Sequence, residues 1–263
     1  MKKCIKLIAI IIILMCVFVQ KNDRAFSAEF NIKEFYKSLS KRLGRTRADY
    51  PDLNDKEFAN FRQVNTTGIS PNKLYRSSSP VKAWGEREII ADNLSRTAGI
   101  KTFINLADTE KNMKARKIFN NTYYSTQDVI CVNTGLKFHS KQFKEGTAQA
   151  IKFMAVNKAP FLVHCDLGKD RAGYFCALLE CLTGASAEEV VNDFMVSFYN
   201  YFGIEKNSSE YEFAADNEIR KFLPVILGVK SIYGINLSDA AERYFLNIGV
   251  SENEINAVRN KLK

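Results

Sequence analysis

The sequence predicts an α/β protein in which helices flank a central, mostly parallel sheet and a helical region forms the C-terminal part. Two apolar runs, Lys101–Leu106 and Pro160–His164, have the length and composition of buried strands. Helical periodicity in residues 143–157 and 172–183 alternates with these runs along the chain. From residue 208 onward the spacing is helical, which accounts for the predicted helical C-terminal region.

The individual elements follow from the same periodicities and from local start and stop signals. We predict an irregular segment at 44–58 and strands at 61–64, 73–75, 101–106, 122–125, 129–133 and 160–164. We predict helices at 31–43, 86–98, 109–118, 143–157, 172–183, 186–199, 208–222, 238–247 and 252–262. Gly184 ends one helix, and capping boxes begin two others, formed by Ser186 with Glu189 and by Ser251 with Glu254.

Residues 1–28 have the three-part layout of a secretory signal peptide. Lysines precede the unbroken apolar run Leu7–Val19, and the polar segment after it ends in Ala25-Phe26-Ser27-Ala28. A retained membrane anchor is the alternative, but the apolar run is shorter than the ~20 residues that a spanning helix needs. We therefore predict an exported protein, secreted or held in the cell envelope, with no integral membrane span in the mature chain.

Beyond the signal peptide we divide the chain into a helical and irregular N-terminal extension, 29–69, and a main domain, 70–263. The signal peptide carries +4 of the formal net charge of +9, which leaves +5 for the mature chain. This mildly basic balance is too small to indicate a nucleic-acid partner. The predicted helix 31–43 carries a basic stripe made of Lys33, Lys37, Lys41 and Arg42. This stripe could allow peripheral membrane contact, although we prefer to interpret it as a solvated helix face.

The residue counts argue against a metal centre and against a disulfide scaffold. Only two histidines are present and no metal-ligand spacing is visible, so we predict no cofactor and no metal site. Four cysteines remain after the signal peptide, too few for a disulfide framework in a chain of this length. We expect free thiols at Cys131, Cys165, Cys176 and Cys181.

One stretch, His164–Gly173, combines groups that suit phosphoryl transfer. A buried strand ends at Cys165, a short loop follows, and a helix begins near Arg171. The backbone N–H groups of such a loop can converge on a bound anion, and Gly168 permits the tight backbone path. Arg171 can clamp two phosphate oxygens. The positive field of the loop favours the Cys165 thiolate, which is a nucleophile for phosphorus.

These residues resemble a known signature. The spacing Cys165-x5-Arg171, preceded by His164, resembles the motif of the protein tyrosine phosphatase superfamily. The Gly-Lys-Asp-Arg sequence that ends the loop resembles the bacterial tyrosine/dual-specificity and phosphoinositide phosphatase group. The segment Leu74–Pro80 is similar to one that precedes the catalytic core in that group. The resemblance covers about 70–263 and implies a protein-tyrosine-phosphatase-like fold.

The resemblance also implies roles for individual residues. Cys165 is the nucleophile, Arg171 binds the phosphate and stabilises the transition state, and Asp170 is the general acid. Asp128 and Asp108 are the alternatives for the acid. The remaining loop residues expected to contact the substrate are Asp166, Leu167, Gly168, Lys169 and Ala172.

Two loop residues are unusual for such a site. Ala172 stands where the family often has Ser or Thr, whose hydroxyl helps the cysteine sulfur to leave, and Asp166 places a like charge beside the nucleophile. We predict an exported protein tyrosine phosphatase with dual specificity, which hydrolyses phosphomonoesters through a phosphocysteine intermediate. The main substrate that we predict is phosphotyrosine in proteins. Lys169 suggests a phosphoinositide or inositol-phosphate phosphatase as an alternative. Ala172 suggests another, a catalytically weak phosphate-binding pseudophosphatase.

Overall fold

A computed structural model describes residues 31–44 and 46–263. Its five strands form one sheet in the order β1-β2-β5-β3-β4. β1 runs antiparallel to β2, and every other neighbouring pair is parallel. The predicted α/β class with a mostly parallel central sheet is therefore confirmed. The strands are β1 Arg62–Gln63, β2 Leu74–Ser77, β3 Thr102–Asn105, β4 Asp128–Cys131 and β5 Phe161–His164.

Helices cover both faces of the sheet and form the C-terminal region. Their bounds are α1 Ile32–Arg42, α2 Asp55–Phe58, α3 Arg87–Thr97, α4 Glu110–Lys114, α5 Lys141–Val156, α6 Arg171–Thr183, α7 Ala187–Phe202, α8 Ser209–Asn217, α9 Ile219–Leu227, α10 Leu237–Asn247 and α11 Glu252–Leu262. Gly184 ends α6 in the left-handed conformation, as predicted, and both predicted capping boxes are formed.

The apolar side chains of the parallel strands alternate between two apolar cores. On β5, Phe161 and Val163 pack into the larger core with the helices α5, α6 and α7, whereas Leu162 packs into the smaller one beside α3. Helix α6 lies in the middle of the larger core, where every residue from Ala172 to Leu182 is buried. A helix buried all round is held rigidly, so the loop that precedes α6 has a fixed support.

Several predicted elements differ from the structure. The segment predicted as irregular at 44–58 contains the short helix α2, and the helix predicted at 109–118 is the shorter α4. The strand predicted at 122–125 is wrong, because a short 3₁₀ turn, Tyr124–Thr126, occupies that position. The buried carboxylate of Asp92 accepts from the backbone N–H groups of Tyr123 and Tyr124, which holds the chain in a turn despite its strand-favouring residues. The single helix predicted at 208–222 is two helices, which meet at the non-helical residue Glu218.

The N-terminal extension contributes to the sheet and to the helical layer. Strand β1 of the segment 29–69 pairs with β2 of the segment 70–263, and α1 packs its buried Phe35 against Phe213 of α8. The predicted signal peptide, 1–28, lies outside the described residues. In the described ranges no helix combines the length and the apolar character needed to cross a membrane.

Candidate active site

The loop between β5 and α6 lies at the carboxyl edge of the parallel strands. β5 ends at His164, the loop runs from Cys165 to Asp170, and Arg171 begins the helix. The sheet register places Ser77 at the end of β2 and Asn105 at the end of β3 beside His164. This edge, where loops follow neighbouring parallel strands, is the usual location of ligand sites in α/β proteins. The structure therefore places the predicted loop where a site is expected.

The carbonyl groups of the loop point into the protein and are held there. The Asp166 carbonyl accepts from the Ser79 backbone N–H at 3.0 Å. The Leu167 carbonyl accepts from the Asn60 amide at 2.9 Å and from the Tyr201 hydroxyl at 2.7 Å. Every one of these donors lies far from the loop in sequence, so the loop conformation is imposed by tertiary contacts.

The backbone N–H groups of the same loop are not used by the protein. From Asp166 to Arg171 none of them donates a hydrogen bond to a partner in the described part of the chain. With the carbonyls fixed on the other side, these N–H groups and the start of α6 are available to an anion. The predicted anion-binding character of the loop thus has a structural basis, since its acceptors are engaged and its donors are free.

Gly168 and Gly173 allow the loop to approach its supports. Gly168 has φ of +68°, and a Cβ there would lie 2.1 Å from the Ser77 carbonyl oxygen. A Cβ on Gly173 would lie 2.8 Å from an Arg76 nitrogen and 2.7 Å from the Phe194 ring. Both positions therefore exclude any side chain, because the neighbouring groups are backbone or tightly packed.

Arg76 is the main buried support of the loop, and its guanidinium is fully enclosed. It donates to the carbonyls of Gly168 at 2.8 Å and Lys169 at 3.0 Å, and it pairs with the Asp193 carboxylate at 2.7 Å. Arg62 pairs with the same carboxylate at 2.9 Å. Burial alone would favour protonated Asp193, but the two guanidinium groups hold its pKa below the ordinary value.

Sequence reasoning did not identify this support. Arg76 lies in the segment Leu74–Pro80, and Asp193 lies within the range 70–263 that the resemblance covers, yet nothing local indicates that they meet beneath the loop. Asn60 and Arg62, in the N-terminal extension, gave no signal. Their roles depend on contacts between residues more than a hundred positions apart, which only the folded chain brings together.

Arg171 directs its guanidinium across the loop. Nη2 donates to the Asp166 carboxylate at 2.9 Å, and Nη1 lies 3.4 to 3.5 Å from the carbonyl oxygens of Thr134 and Leu106. Nε is buried and has no partner among the residues that the structure describes. Cys165 is itself only 3% exposed, which protects its sulfur from bulk solvent. An unpartnered buried N–H on the guanidinium is a donor that an incoming phosphate can satisfy.

Lys169 and Asp170 form an ion pair at the start of α6. Their side chains lie 2.5 Å apart, and the Lys169 ammonium also sits 4.5 Å from the centre of the Phe198 ring. Lys169 is 12% exposed and Asp170 is 34% exposed. The lysine charge predicted to assist an anionic substrate is therefore shared with Asp170, and Asp170 is the more accessible member of the pair.

The two alternative acids differ in their relation to the loop. Asp108 follows β3 on the same edge of the sheet, but it is buried and pairs with Arg116 at 2.5 Å. Asp128 begins β4 opposite Thr102, which in turn lies opposite Phe161 at the start of β5. The register thus places Asp128 at the amino edge of the sheet, away from the loop, because parallel strands keep the same ends together.

His164 is a neutral support beneath Cys165. Burial lowers the pKa of its imidazole to about 4, so the ring is uncharged at neutral pH. Nε2 lies 3.0 Å from the Tyr124 hydroxyl, and Nδ1 lies 3.4 Å from the Cys165 carbonyl oxygen. The ring therefore connects the end of β5 to the 3₁₀ turn.

Ala172 and the remaining cysteines complete the site region. Ala172 is fully buried directly after Arg171. The four cysteines that we predicted as free thiols are unpaired. Burial raises the pKa of Cys176 and Cys181 well above the ordinary thiol value.

Across residues 31–44 and 46–263, no group of three or more His, Cys, Asp or Glu side chains is arranged to hold a metal ion.

The chain is similar to known phosphatases. Residues 53–263 match the tyrosine phosphatase family. A tyrosine-protein phosphatase from Nostoc commune is 31% identical over 120 residues, which span 38% of this chain and 38% of that protein. The crystal structure of the core catalytic domain of the PP-IP phosphatase SIW14 from S. cerevisiae, in complex with citrate, aligns with 64% of this chain and 91% of its own, with a TM-score of 0.39 and 16% identity. Because the family match covers well over half of the chain, the protein belongs to the tyrosine phosphatase family.

Proposed function

We propose that this protein hydrolyses phosphotyrosine in proteins, with dual specificity toward other phosphomonoesters, through a phosphocysteine intermediate on Cys165. The observation that supports this most is the division of the loop: its carbonyls are engaged, while its N–H groups and the Arg171 Nε have no partner in the described part of the chain. Such an arrangement stabilises the equatorial oxygens of a transferring phosphoryl group.

The reaction proceeds in two displacements. The Cys165 thiolate attacks phosphorus, the S–P bond forms, and the ester O–P bond breaks. The leaving oxygen takes a proton from Asp170. Water then attacks phosphorus and gives a proton to the Asp170 carboxylate, the S–P bond breaks, and the thiolate is restored as inorganic phosphate departs. Arg171 and the loop N–H groups contact the phosphoryl oxygens in both steps.

Asp170 is the preferred general acid on geometric grounds. It lies at the end of the loop and is about one-third exposed, which lets it reach the leaving group of a bound ester. Asp108 is committed to Arg116 and to the Asn105 amide at 3.2 Å. Asp108 is also only 4% exposed, whereas Asp170 is accessible at the end of the loop.

Phosphotyrosine is the proposed substrate because the aligned part of the Nostoc commune protein belongs to a tyrosine-protein phosphatase. The loop lysine that suggested an inositol-phosphate substrate has its charge shared with Asp170. A phosphate-release panel tests the choice, with phosphotyrosine and phosphoserine peptides, phosphoinositides and inositol polyphosphates compared in the presence of EDTA. We expect phosphotyrosine to be turned over fastest, with no loss in EDTA and complete loss in Cys165→Ser. Phosphate binding without turnover on any substrate would instead support a pseudophosphatase.

We also propose that the protein is exported through the N-terminal segment 1–28, which has the charged, apolar and small-residue parts of a signal peptide. Expression with a compatible secretion system and sequencing of the mature N-terminus test this. A new N-terminus close to Ala28 in the exported fraction is expected. Retention of the apolar segment in a membrane fraction would indicate an anchor.

A further inference from the structure

Lys82 lies beside the loop although no sequence motif marked it. It follows β2 in the chain, and its ammonium pairs with Oδ1 of Asp166 at 2.8 Å. The other oxygen of the same carboxylate, Oδ2, accepts from Nη2 of Arg171 at 2.9 Å. One carboxylate therefore joins an unassigned lysine to the arginine that clamps the phosphate.

Ser79 fixes both ends of the Lys82–Asp166 pair. Its hydroxyl accepts from the Lys82 backbone N–H at 3.0 Å, and its own backbone N–H donates to the Asp166 carbonyl at 3.0 Å. Ser79 is buried, so these bonds are shielded from competition by water. Ser79 thus holds the backbones of Lys82 and Asp166 close together, which keeps their side chains within reach of each other.

Asp166 has a useful and a harmful effect on phosphate binding. Its contact with Nη2 orients the Arg171 guanidinium and leaves the buried Nε free. Its negative charge, one residue from the nucleophile, opposes a dianionic phosphate ester. Although burial opposes ionisation, Lys82 and Arg171 hold the pKa of Asp166 below the ordinary value, so the charge persists at neutral pH.

We propose that Lys82 is a positioning residue for the phosphatase site: it neutralises Asp166, so that Asp166 can orient Arg171 without repelling the phosphoryl group. The inference rests on the proposed function of the loop. It also explains how an acidic residue beside the nucleophile is compatible with an anion site. Lys82 acts through Asp166, so its effect must disappear when Asp166 carries no charge.

The test is a double-mutant cycle with Lys82→Met and Asp166→Asn, because Asn keeps an oxygen acceptor for Arg171 and removes only the charge. In the parent background, Lys82→Met should raise KM for an aryl phosphate about 10-fold and change kcat less than about 3-fold, since a repelled ground-state anion is a binding effect. In the Asp166→Asn background, the same substitution should change KM less than about 2-fold. Lys82→Arg should restore most of the affinity, and thermal unfolding of every variant controls for misfolding.

Equal KM losses in both backgrounds would show that Lys82 contacts the substrate itself, and no loss in either would show that the pair is a surface feature. Both results overturn the proposal. Calorimetric binding of inorganic phosphate separates this inference from the proposed function, because it needs no turnover. A parent protein that binds phosphate without hydrolysing esters would refute the proposed function alone. The double-mutant cycle would then use the dissociation constants of inorganic phosphate in place of KM. A parent protein that binds no phosphate would refute both.

Discussion

The loop around Cys165 has two sides whose polar groups are held in different ways. On the buried side, the carbonyls are bound by side chains from the N-terminal extension, β2 and α7, and the charges of Arg62, Arg76 and Asp193 are enclosed. On the open side, the N–H groups have no partner among residues 31–44 and 46–263, and the ion pairs of Asp166 and Asp170 are partly exposed. The comparison indicates that the buried side holds the loop rigid, whereas the open side carries the groups that we propose to contact the phosphate.

The largest expected effect lies on the buried side. Asp193→Asn removes the counter-charge of two buried guanidinium groups and should lower the free energy of unfolding by about 3 kcal/mol, with loss of activity as the loop loses its support. Denaturant unfolding measures this. Glu110→Gln is the matched control, because Glu110 and Lys114 form an ion pair that is exposed at the surface. This substitution should leave the unfolding midpoint unchanged. A stable Asp193→Asn variant would mean that the buried cluster does not hold the loop.

The next effect belongs to the open side. Asp170→Asn should lower kcat about 10²-fold for esters with poor leaving groups and much less for activated aryl phosphates, because only poor leaving groups need the proton. The unfolding midpoint should not change. Equal losses on both kinds of ester would assign Asp170 to orientation of the loop. Asp128→Asn, at the far edge of the sheet, is the control and should behave like the parent protein.

A smaller effect concerns the second displacement. Ala172 offers no hydroxyl to the departing thiolate, so hydrolysis of phosphocysteine should limit turnover, and a burst of leaving group should precede the steady state. Ala172→Thr should raise the steady-state rate about 10-fold with little change in the burst rate. Stopped-flow detection of an aryl leaving group measures both rates. Absence of a burst together with absence of a gain would show that another group already assists the thiolate.

The smallest effect is a pH dependence of stability on the buried side. Glu180 is buried, and neither of its oxygens has a partner in the described structure. Burial and the nearby Asp193 charge raise its pKa well above the ordinary value. A raised folded-state pKa adds stability that is complete below the unfolded pKa and is lost as pH rises toward the folded pKa. Glu180→Gln should therefore match the parent near pH 4 and raise Tm by on the order of 3 °C at pH 8. A Tm difference that does not vary with pH would contradict the protonated Glu180.

The two sides also differ in how far the sequence predicted them. The open side is contiguous, so the strand, the glycine and the spacing from Cys165 to Arg171 indicate its chemistry directly. The buried side is assembled from distant residues, and no local pattern marks Asn60 or Arg62 as loop supports. For the same reason, no local pattern marks Lys82 as the partner of Asp166. The sequence does not predict the break at Glu218, because helical periodicity continues across it. In the structure, the Glu218 carboxylate accepts from the Tyr36 hydroxyl at 2.6 Å, a contact between residues far apart in the chain.

The most direct test of the central claim is to trap the phosphorylated enzyme. Rapid acid quenching during turnover of an aryl phosphate, followed by peptide mass spectrometry, locates any covalent phosphoryl group. The account predicts a phosphoryl group on the peptide that contains Cys165, more abundant in the parent protein than in Ala172→Thr and absent in Cys165→Ser. Continued turnover by Cys165→Ser, or a phosphoryl group on a different residue, would contradict it.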